Sequence, residues 1–476
     1  TIPGADNPDR MLISEGTGLV AIPIAINPVM QSGYRYFGHD VYVWQKPYIE
    51  TAWFDFGLKD VNKFFKSVTL FSDCTDTEKP RGTEYNIYVY YKVDNDKDWR
   101  LAGRGGAYAS QEIDFTNDNR VLKESLSLIK GGYNVELVAT RFDKILPEEE
   151  NIRDIQVVRF GVGSVKFLPL NLFLFWYKIV KNYSKEEVFH CNDLYALPPA
   201  YIIKTFLNKK AKIVYDCHEH ETEAGIYIGK PILKFFAKIF ERVMIKKVDK
   251  VITVSESIAN DYVTMYGIEK PSLVLNCPEY RKYEKHDLFR EKLGIGKDKI
   301  IFLYQGEYLP GRGVDKLIDI FNKLERKDNK QVLVLLVYGE NIESLKDKIK
   351  DSKNIYWHDK VSSAVYMEYV ASADWGIYLM ENTCKNHNYA LPNKIFDYIA
   401  GGLPLILSNL KEMGDFVVKN KVGYVIEPND ISKVVLLLSS IGEESKSVFK
   451  NNLQTTSKKY CWEEQEKVLL KIYNSI

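Results

Sequence analysis

No apolar run in this chain reaches the ~18 residues that a membrane-spanning helix needs, which argues against an integral membrane class. An excess of one charge sign is also missing: 65 Lys+Arg against 64 Asp+Glu leave a net charge of +1. That balance gives no global electrostatic reason to expect a nucleic-acid partner. Cysteines are few and scattered, at Cys74, Cys191, Cys217, Cys277, Cys384 and Cys461, with no CxxC pair. Such spacing argues against a disulfide framework or a zinc site and points to a reducing compartment. The first residues, TIPGADNPDR, are polar, so no signal peptide is expected there. A start at Thr1 without Met leaves room for a segment upstream. What remains is 476 residues, 45% hydrophobic, enough for two to four domains with substantial cores.

Two rhythms divide the chain. Residues 1–116 hold short β-rich runs (LVAIPIAI, DVYVWQ, KSVTLFS, NIYVYYKV) separated by turn residues, with a short helix expected near Lys59–Phe65. They predict an all-β, sandwich-like module, and YYKVDNDKDWRLAG faintly resembles β-sandwich modules of phage structural proteins. From Asn117 the pattern becomes strand, helix, strand. A first series runs from the helix Arg120–Lys130 to a strand at Leu273–Leu275. A second begins near Lys299 with IIFLYQ, QVLVLLVY, NIYW, WGIYLM, PLIL and GYVI. PEYRKYEKHDLFREKLG, polar and between the two, reads as a linker. The predicted fold is α/β, with two Rossmann-like domains facing a cleft into which the carboxyl ends of both sheets open.

Three stretches carry chemistry. In YQGEYLPGRG a strand ends in a glycine-containing loop before a helix, so Gly306 and Arg312 can face an anion; an ordinary βα turn would look the same. In LPNKIFDYIAGGLP, Pro392 and Asn393 mark a helix start, and Lys394 and Asp397 share one face. A carboxylate there suits ribose hydroxyls rather than phosphate, and a surface ion pair is the plain alternative. YDCHEHE places His218 and Glu219 just past an apolar strand, and HCND places His190 and Asp193 at another strand end. The alternating HEHE lacks the helical H-E-x-x-H spacing, so no metal is expected.

With these motifs in order, residues from about 117 to 476 resemble the nucleotide-sugar glycosyltransferases of the GT-B fold, of the family 4-like, group 1 type. NDNRVLKE, HCNDLYALPPA, IVYDCHE, DKVITVSE, VLNCP, GEYLPGRG, LPNKIFDYIAGGLPLI and the closing YCWEEQEKVLLKIY are similar to successive family segments. The resemblance implies a retaining transfer from a nucleotide-diphosphate sugar to a glycan or lipid-linked acceptor, in polysaccharide or glycolipid biosynthesis. It implies an acceptor domain at 117–285, a donor domain at 286–455 and a helix at 456–476 crossing back. Arg312 and Lys394, with the backbone at Gly306 and Asn393, would neutralise the diphosphate; Asp397 would hold the ribose. The backbone around Asp359, Lys360 and Val361 would meet the base. His218, supported by Glu219, would stand at the reaction centre. No metal or cofactor would be needed, and no nucleic acid is an expected partner. A bacterial, cytoplasmic enzyme is implied.

The chain departs from the family pattern at three points. Glu307 stands where a basic residue is usual, and Tyr389 where the first of two paired carboxylates is usual, with Asn386, Asn388 or Glu381 as substitutes. The stretch Arg104–Phe115 is not the apolar run that a central parallel strand requires. Lys230–Lys250 puts Ile232, Phe235, Phe236, Ile239, Phe240, Val243 and Met244 on one stripe with lysines around it, and Phe167–Ile179 is very apolar. Either these helices face the core, or they form a basic-aromatic surface for peripheral contact with an anionic inner-membrane face. A nucleotide-sugar epimerase of the same fold and a glycan-binding protein with an inactive enzyme-like half stay open as alternatives.

Overall fold

The computed structural model describes residues 118–141, 147–161, 168–283, 286–325, 330–339, 342–361 and 365–476, together with short strands nearer the N-terminus. Contacts divide the chain into two compact units, Thr1–Lys66 and Ser67–Ile476. In the first, Arg10–Glu15 pairs antiparallel with Gly18–Pro23, and Tyr34–Tyr36 with His39–Val41. The second opens with the antiparallel pairs Asn86–Tyr91 with Arg100–Gly106 and Thr69–Leu70 with Gln111–Glu112. The sandwich-like arrangement and the helix near Lys59–Phe65 expected from sequence lie outside the described residues.

The rest of the second unit is α/β, its described strands parallel except Glu149–Ile152, which pairs antiparallel with Ile155–Gly161. Its second half carries six parallel strands, ordered Ile355–His358, Gln331–Tyr338, Ile300–Glu307, Trp375–Tyr378, Leu405–Ser408, Gly423–Ile426. In chain order this is 3-2-1-4-5-6. The reversal between first and fourth strand opens a crevice at their carboxyl ends. The runs IIFLYQ and QVLVLLV are buried along their whole length because helices cover both faces of the sheet. Phe302, Trp375, Phe321 and Tyr424 fill the layers between.

The first half holds four parallel strands, Val188–Asn192, Lys212–Cys217, Lys250–Thr253 and Ser272–Leu273. A separate three-stranded sheet orders Glu149–Ile152, Ile155–Gly161 and Glu136–Arg141. The helix Asn119–Lys130 serves both: Leu128 packs with Val214 and Ile252, while Leu122 packs with Ile155 and Val157. Among the described residues no strand joins the two sheets, and Gln111–Glu112 pairs with Thr69–Leu70 instead. The polar run before Asp118 gives a central slot nothing apolar to bury.

The closing helix Trp462–Tyr473 packs on the first half. Trp462 Nε1 donates to Ser127 Oγ at 3.0 Å, and the Tyr473 hydroxyl lies 2.8 Å from His190 Nδ1. The linker is more structured than its polarity suggests. Leu288–Leu293 is a helix, Phe289 is fully buried against Tyr369 and His358, and Arg290 pairs with Asp374 at 2.8 Å.

The core-facing alternative for the stripe on Pro231–Ile245 is overturned. Ile232, Phe235, Phe236, Ile239, Phe240 and Val243 are all exposed, and the buried face is Glu241, Met244 and Ile245. Glu241 turns inward because the Tyr215, Tyr262 and Tyr266 hydroxyls all donate to it. Leu170, Phe173, Leu174 and Tyr177 of Leu168–Tyr183 are exposed as well. That helix packs on Leu197–Ile202, which packs on Pro231–Ile245, so the exposed apolar residues sit on neighbouring elements.

Candidate functional site

The crevice of the six-stranded sheet is shaped by glycines. Gly306 ends the first strand at φ +120°, and a Cβ there would stand 3.0 Å from Lys394 Nζ. Glycine thus lets the ammonium approach the strand end. Gly313 has φ +83°, and its Cβ would fall 2.1 Å from the Leu379 carbonyl oxygen, so the loop passes the fourth strand only without a side chain.

Arg312 and Lys394 converge here. Arg312 Nη1 donates to the Tyr378 hydroxyl at 3.1 Å. Lys394 Nζ lies 3.9 Å from the Tyr378 ring centroid and 4.5 Å from that of Tyr304. Among the described residues neither cation has a carboxylate within ion-pair distance. Burial, and then the charge of Arg312, push the Lys394 ammonium down to about 7. Two cations held together with no close ion pair among the described residues suit an anion that bridges them. The helix Asn393–Ala400 begins beside them at Pro392, which offers no side-chain cap to compete for its first amides.

Asp397 sits one turn along. It does not form the surface ion pair that its spacing from Lys394 allowed. Its Oδ2 accepts from the Tyr366 hydroxyl at 2.8 Å and from Gln305 Nε2 at 3.2 Å. Burial raises its carboxyl to about 6, against the lowering by these hydrogen bonds. Val361 packs against the rim of this core, and Lys360 lies over the Tyr338 ring. Glu307 is exposed at the strand's last residue, against Gly339.

On the opposite wall, His218 and Glu219 follow the strand Lys212–Cys217. His218 Nε2 is 3.1 Å from Asp216 Oδ2, and its Nδ1 is 3.5 Å from Asp193 Oδ2. Burial lowers the His218 pKa, but the hydrogen bond and charge of Asp216 outweigh it, so the net shift is upward. Asp216, fully buried, takes a two-pronged contact from Arg120 at 3.0 and 2.8 Å. Arg120 Nη2 also meets Glu124 at 3.1 Å. Glu124, His190 and Asp216 have metal-ligand chemistry within a span of 4.8 Å, but the guanidinium of Arg120 already lies against both carboxylates. Asp193 holds a left-handed φ of 63° at its strand end, where its Oδ1 accepts from the His218 amide at 3.1 Å. Such backbone strain in a side-chain-bearing residue concentrates at functional sites.

The wall and the crevice meet. Asn386 Nδ2 donates to Glu219 Oε2 at 2.7 Å, and the Arg312 charge is felt at Glu219. The structure therefore gathers Gly306, Arg312, Asn393, Lys394 and Asp397 on one side, with His218 and Glu219 on the other.

The sequence matches Glycosyltransferase Family 4 over residues 119–277 and Glycosyl transferases group 1 over residues 285–457. The chain belongs to the GT-B glycosyltransferases. It is similar to the chitobiosyldiphosphodolichol beta-mannosyltransferase of Kluyveromyces lactis, at 23% identity over 65% of this chain and 76% of the relative. In fold it resembles sucrose-phosphate synthase from Thermosynechococcus elongatus, with a TM-score of 0.62 and 15% identity over 75% of this chain and 92% of that one. It also resembles Anabaena HepE in complex with UDP-glucose, with a TM-score of 0.55 and 14% identity over 68% and 87%.

Several residues of the glycosyltransferase's site escaped the sequence reading. Tyr378 meets both cations, Tyr304 lies under Lys394, and Gln305 and Tyr366 hold Asp397. Asp216 alone had a local signal, because it stands at the same strand end as His218, two residues before it. Arg120, 96 positions away, had none. Of the substitutes considered for Tyr389, Asn386 is turned to the opposite wall, Asn388 accepts from the Lys411 amide at 3.1 Å, and Glu381 meets Lys316 at 3.4 Å.

Proposed function

We propose that this glycosyltransferase moves a sugar, with retention of anomeric configuration, from a nucleotide-diphosphate sugar to a glycan or lipid-linked acceptor in polysaccharide or glycolipid biosynthesis. The observation that carries this reading is the convergence of Arg312 and Lys394 on Tyr378, at the strand-order reversal, with no carboxylate within ion-pair distance of either among the described residues. Cations fixed before reaction stabilise the charge that develops on a departing diphosphate, and they do so without a metal. In this reading the Gly306 and Asn393 backbone completes the diphosphate cradle, Asp397 accepts from the ribose, and the backbone near Val361 meets the base. His218 and Glu219 face the transferred sugar. Residues 117–285 act as the acceptor domain and 286–455 as the donor domain, with 456–476 as the crossing helix. The HepE complex with UDP-glucose and the diphosphodolichol acceptor in the yeast relative's name support the two substrate classes.

Among the described residues no helix is long and apolar enough to cross a membrane. The exposed face of Pro231–Ile245 supports peripheral contact instead. Exposed apolar patches of this extent mark interaction surfaces. Lys230, Arg242, Lys246 and Lys247 accompany the apolar stripe, while Lys234 and Lys238 pair with Glu223; this basic surplus suits an anionic cytoplasmic leaflet carrying a lipid-linked acceptor. Flotation should show binding to vesicles containing phosphatidylserine and loss of binding in Phe235→Glu/Phe236→Glu. Equal binding by wild type and variant would remove this surface from the reading.

Titration calorimetry with UDP, GDP, ADP and dTDP tests the donor site and names its base. Arg312→Ala should weaken binding of the preferred diphosphate by about 1.5–3 kcal/mol, the worth of one charge-assisted hydrogen bond. Wild-type affinity in both Arg312→Ala and Lys394→Ala would refute the assignment.

A further inference from the structure

The short helix Lys385–Tyr389 belongs by sequence to the donor side, yet its Lys385, Asn386 and Tyr389 side chains engage the acceptor side. Lys385 Nζ reaches both oxygens of Asp261 at 2.7 Å. Asp261 Oδ2 in turn lies 2.6 Å from Nε2 of the fully buried His220. Tyr389 packs against the acceptor-side cluster that contains Tyr215 and Tyr262. Between them stands Asn386, only 6% exposed, with both ends of its amide engaged across the cleft. Its Oδ1 accepts the His220 backbone N–H at 2.8 Å, and its Nδ2 donates to Glu219 Oε2 at 2.7 Å.

Glu219 needs such a partner. Asp193 and Glu221 on its own side repel it, and His218 and Arg312 attract it. Burial and Asp193 raise its carboxyl, and the Asn386 hydrogen bond is the largest influence holding it ionised. A hydrogen bond fixes a direction as well as a charge, which the more distant cations do not.

We propose that Asn386 is a positioning residue of the transfer reaction: it grips Glu219 and the His220 backbone from the opposite domain, so the His218–Glu219 pair is placed only while the two domains are closed on each other. The idea rests on the proposed role of that pair at the reaction centre. It also gives Tyr389 a place, as the apolar anchor of the same helix against the acceptor domain. Donor-side closure and the geometry of the reacting side chains become one event.

The test uses the full chain with three variants, Asn386→Ala, Asn386→Asp and Glu219→Gln. Turnover of UDP-glucose and GDP-mannose is followed together with hydrogen exchange of the 218–223 amides. Asn386→Ala should lower kcat by roughly 10- to 100-fold, the loss of one hydrogen bond to a charged group, with the donor KM within about twofold. It should also speed exchange at His220. Asn386→Asp keeps the acceptor for the His220 N–H but sets a carboxylate against Glu219. Its pH–activity profile should therefore move to lower pH, where one carboxyl is protonated, which a merely structural role would not produce. Wild-type kcat and exchange in Asn386→Ala, with Glu219→Gln impaired, would overturn the proposal and leave the reaction-centre reading standing. Wild-type turnover in Glu219→Gln would remove that reading and the proposal with it. The exchange arm needs no substrate, and unchanged protection at His220 in Asn386→Ala refutes the contact directly.

Discussion

With Lys394 on the donor diphosphate, as proposed, its depressed ammonium would make donor binding a proton-linked event, and the size of the linkage follows from the site. Burial and Arg312 hold Lys394 at about 7. A diphosphate placed against it adds two negative charges and returns it toward its ordinary value of about 10.4. Affinity then carries the ratio of protonated fractions in the bound and free sites. Between pH 7.5 and 9 the free site is mostly neutral and the bound site mostly charged, so binding takes up nearly one proton. Affinity should fall about 20-fold over that interval, near 1.8 kcal/mol. The direction is fixed: a base whose pKa is lowered in the free site binds an anion less well as pH rises. Above pH 7.5 the terminal phosphate of a nucleoside diphosphate is already ionised, so the ligand contributes little. Calorimetry in phosphate and Tris buffers separates proton uptake from intrinsic enthalpy. Lys394→Met should bind more weakly at pH 7.5 and lose most of the pH dependence, while Arg312, always charged, should give none. A flat affinity from pH 7.5 to 9 with no proton uptake would refute a depressed Lys394 and its place on the diphosphate.

Two further outcomes concern the framework of the site. Arg120→Met leaves the buried carboxylates of Asp216 and Glu124 without their guanidinium and should cost about 3–5 kcal/mol in denaturant unfolding; loss below 1 kcal/mol would show the cluster to be hydrated. Gly313→Ala must displace the Leu379 carbonyl as well as accept φ +83°, whereas Gly402→Ala, at φ +76° with nothing within 4 Å, meets only the backbone penalty. The first should lower Tm and nucleotide affinity together, by roughly 1–3 kcal/mol for strained backbone, and the second should lower Tm alone and less. Equal behaviour of the two glycines would show that the loop yields without strain.

Most of the order of strands and helices from Arg120 onward was legible in the sequence, though the polar strand Glu149–Ile152 and the linker helix Leu288–Leu293 were not. Runs such as IIFLYQ and QVLVLLV are apolar on both faces, which only a covered parallel strand tolerates, Gly306 marks a strand end, and Gly401 closes the helix before it. The positions of Arg312, Lys394 and His218 at strand ends and helix starts followed from the same rhythm. Partnership did not follow from it. The meeting of Arg312 with Lys394 over Tyr378, the grip of Arg120 on Asp216, and the reach of Asn386 to Glu219 each join residues 66 to 167 positions apart, and local periodicity carries no information about such separations. Nor could periodicity say what covers a face. The amphipathic pattern of Pro231–Ile245 defines an apolar stripe, but the tertiary structure turned the helix so that Glu241 meets three tyrosine hydroxyls inside and the phenylalanines stand in solvent. A hydrophobic stripe fixes which residues move together; only the neighbouring elements decide whether they are buried by this chain or left for something else to cover.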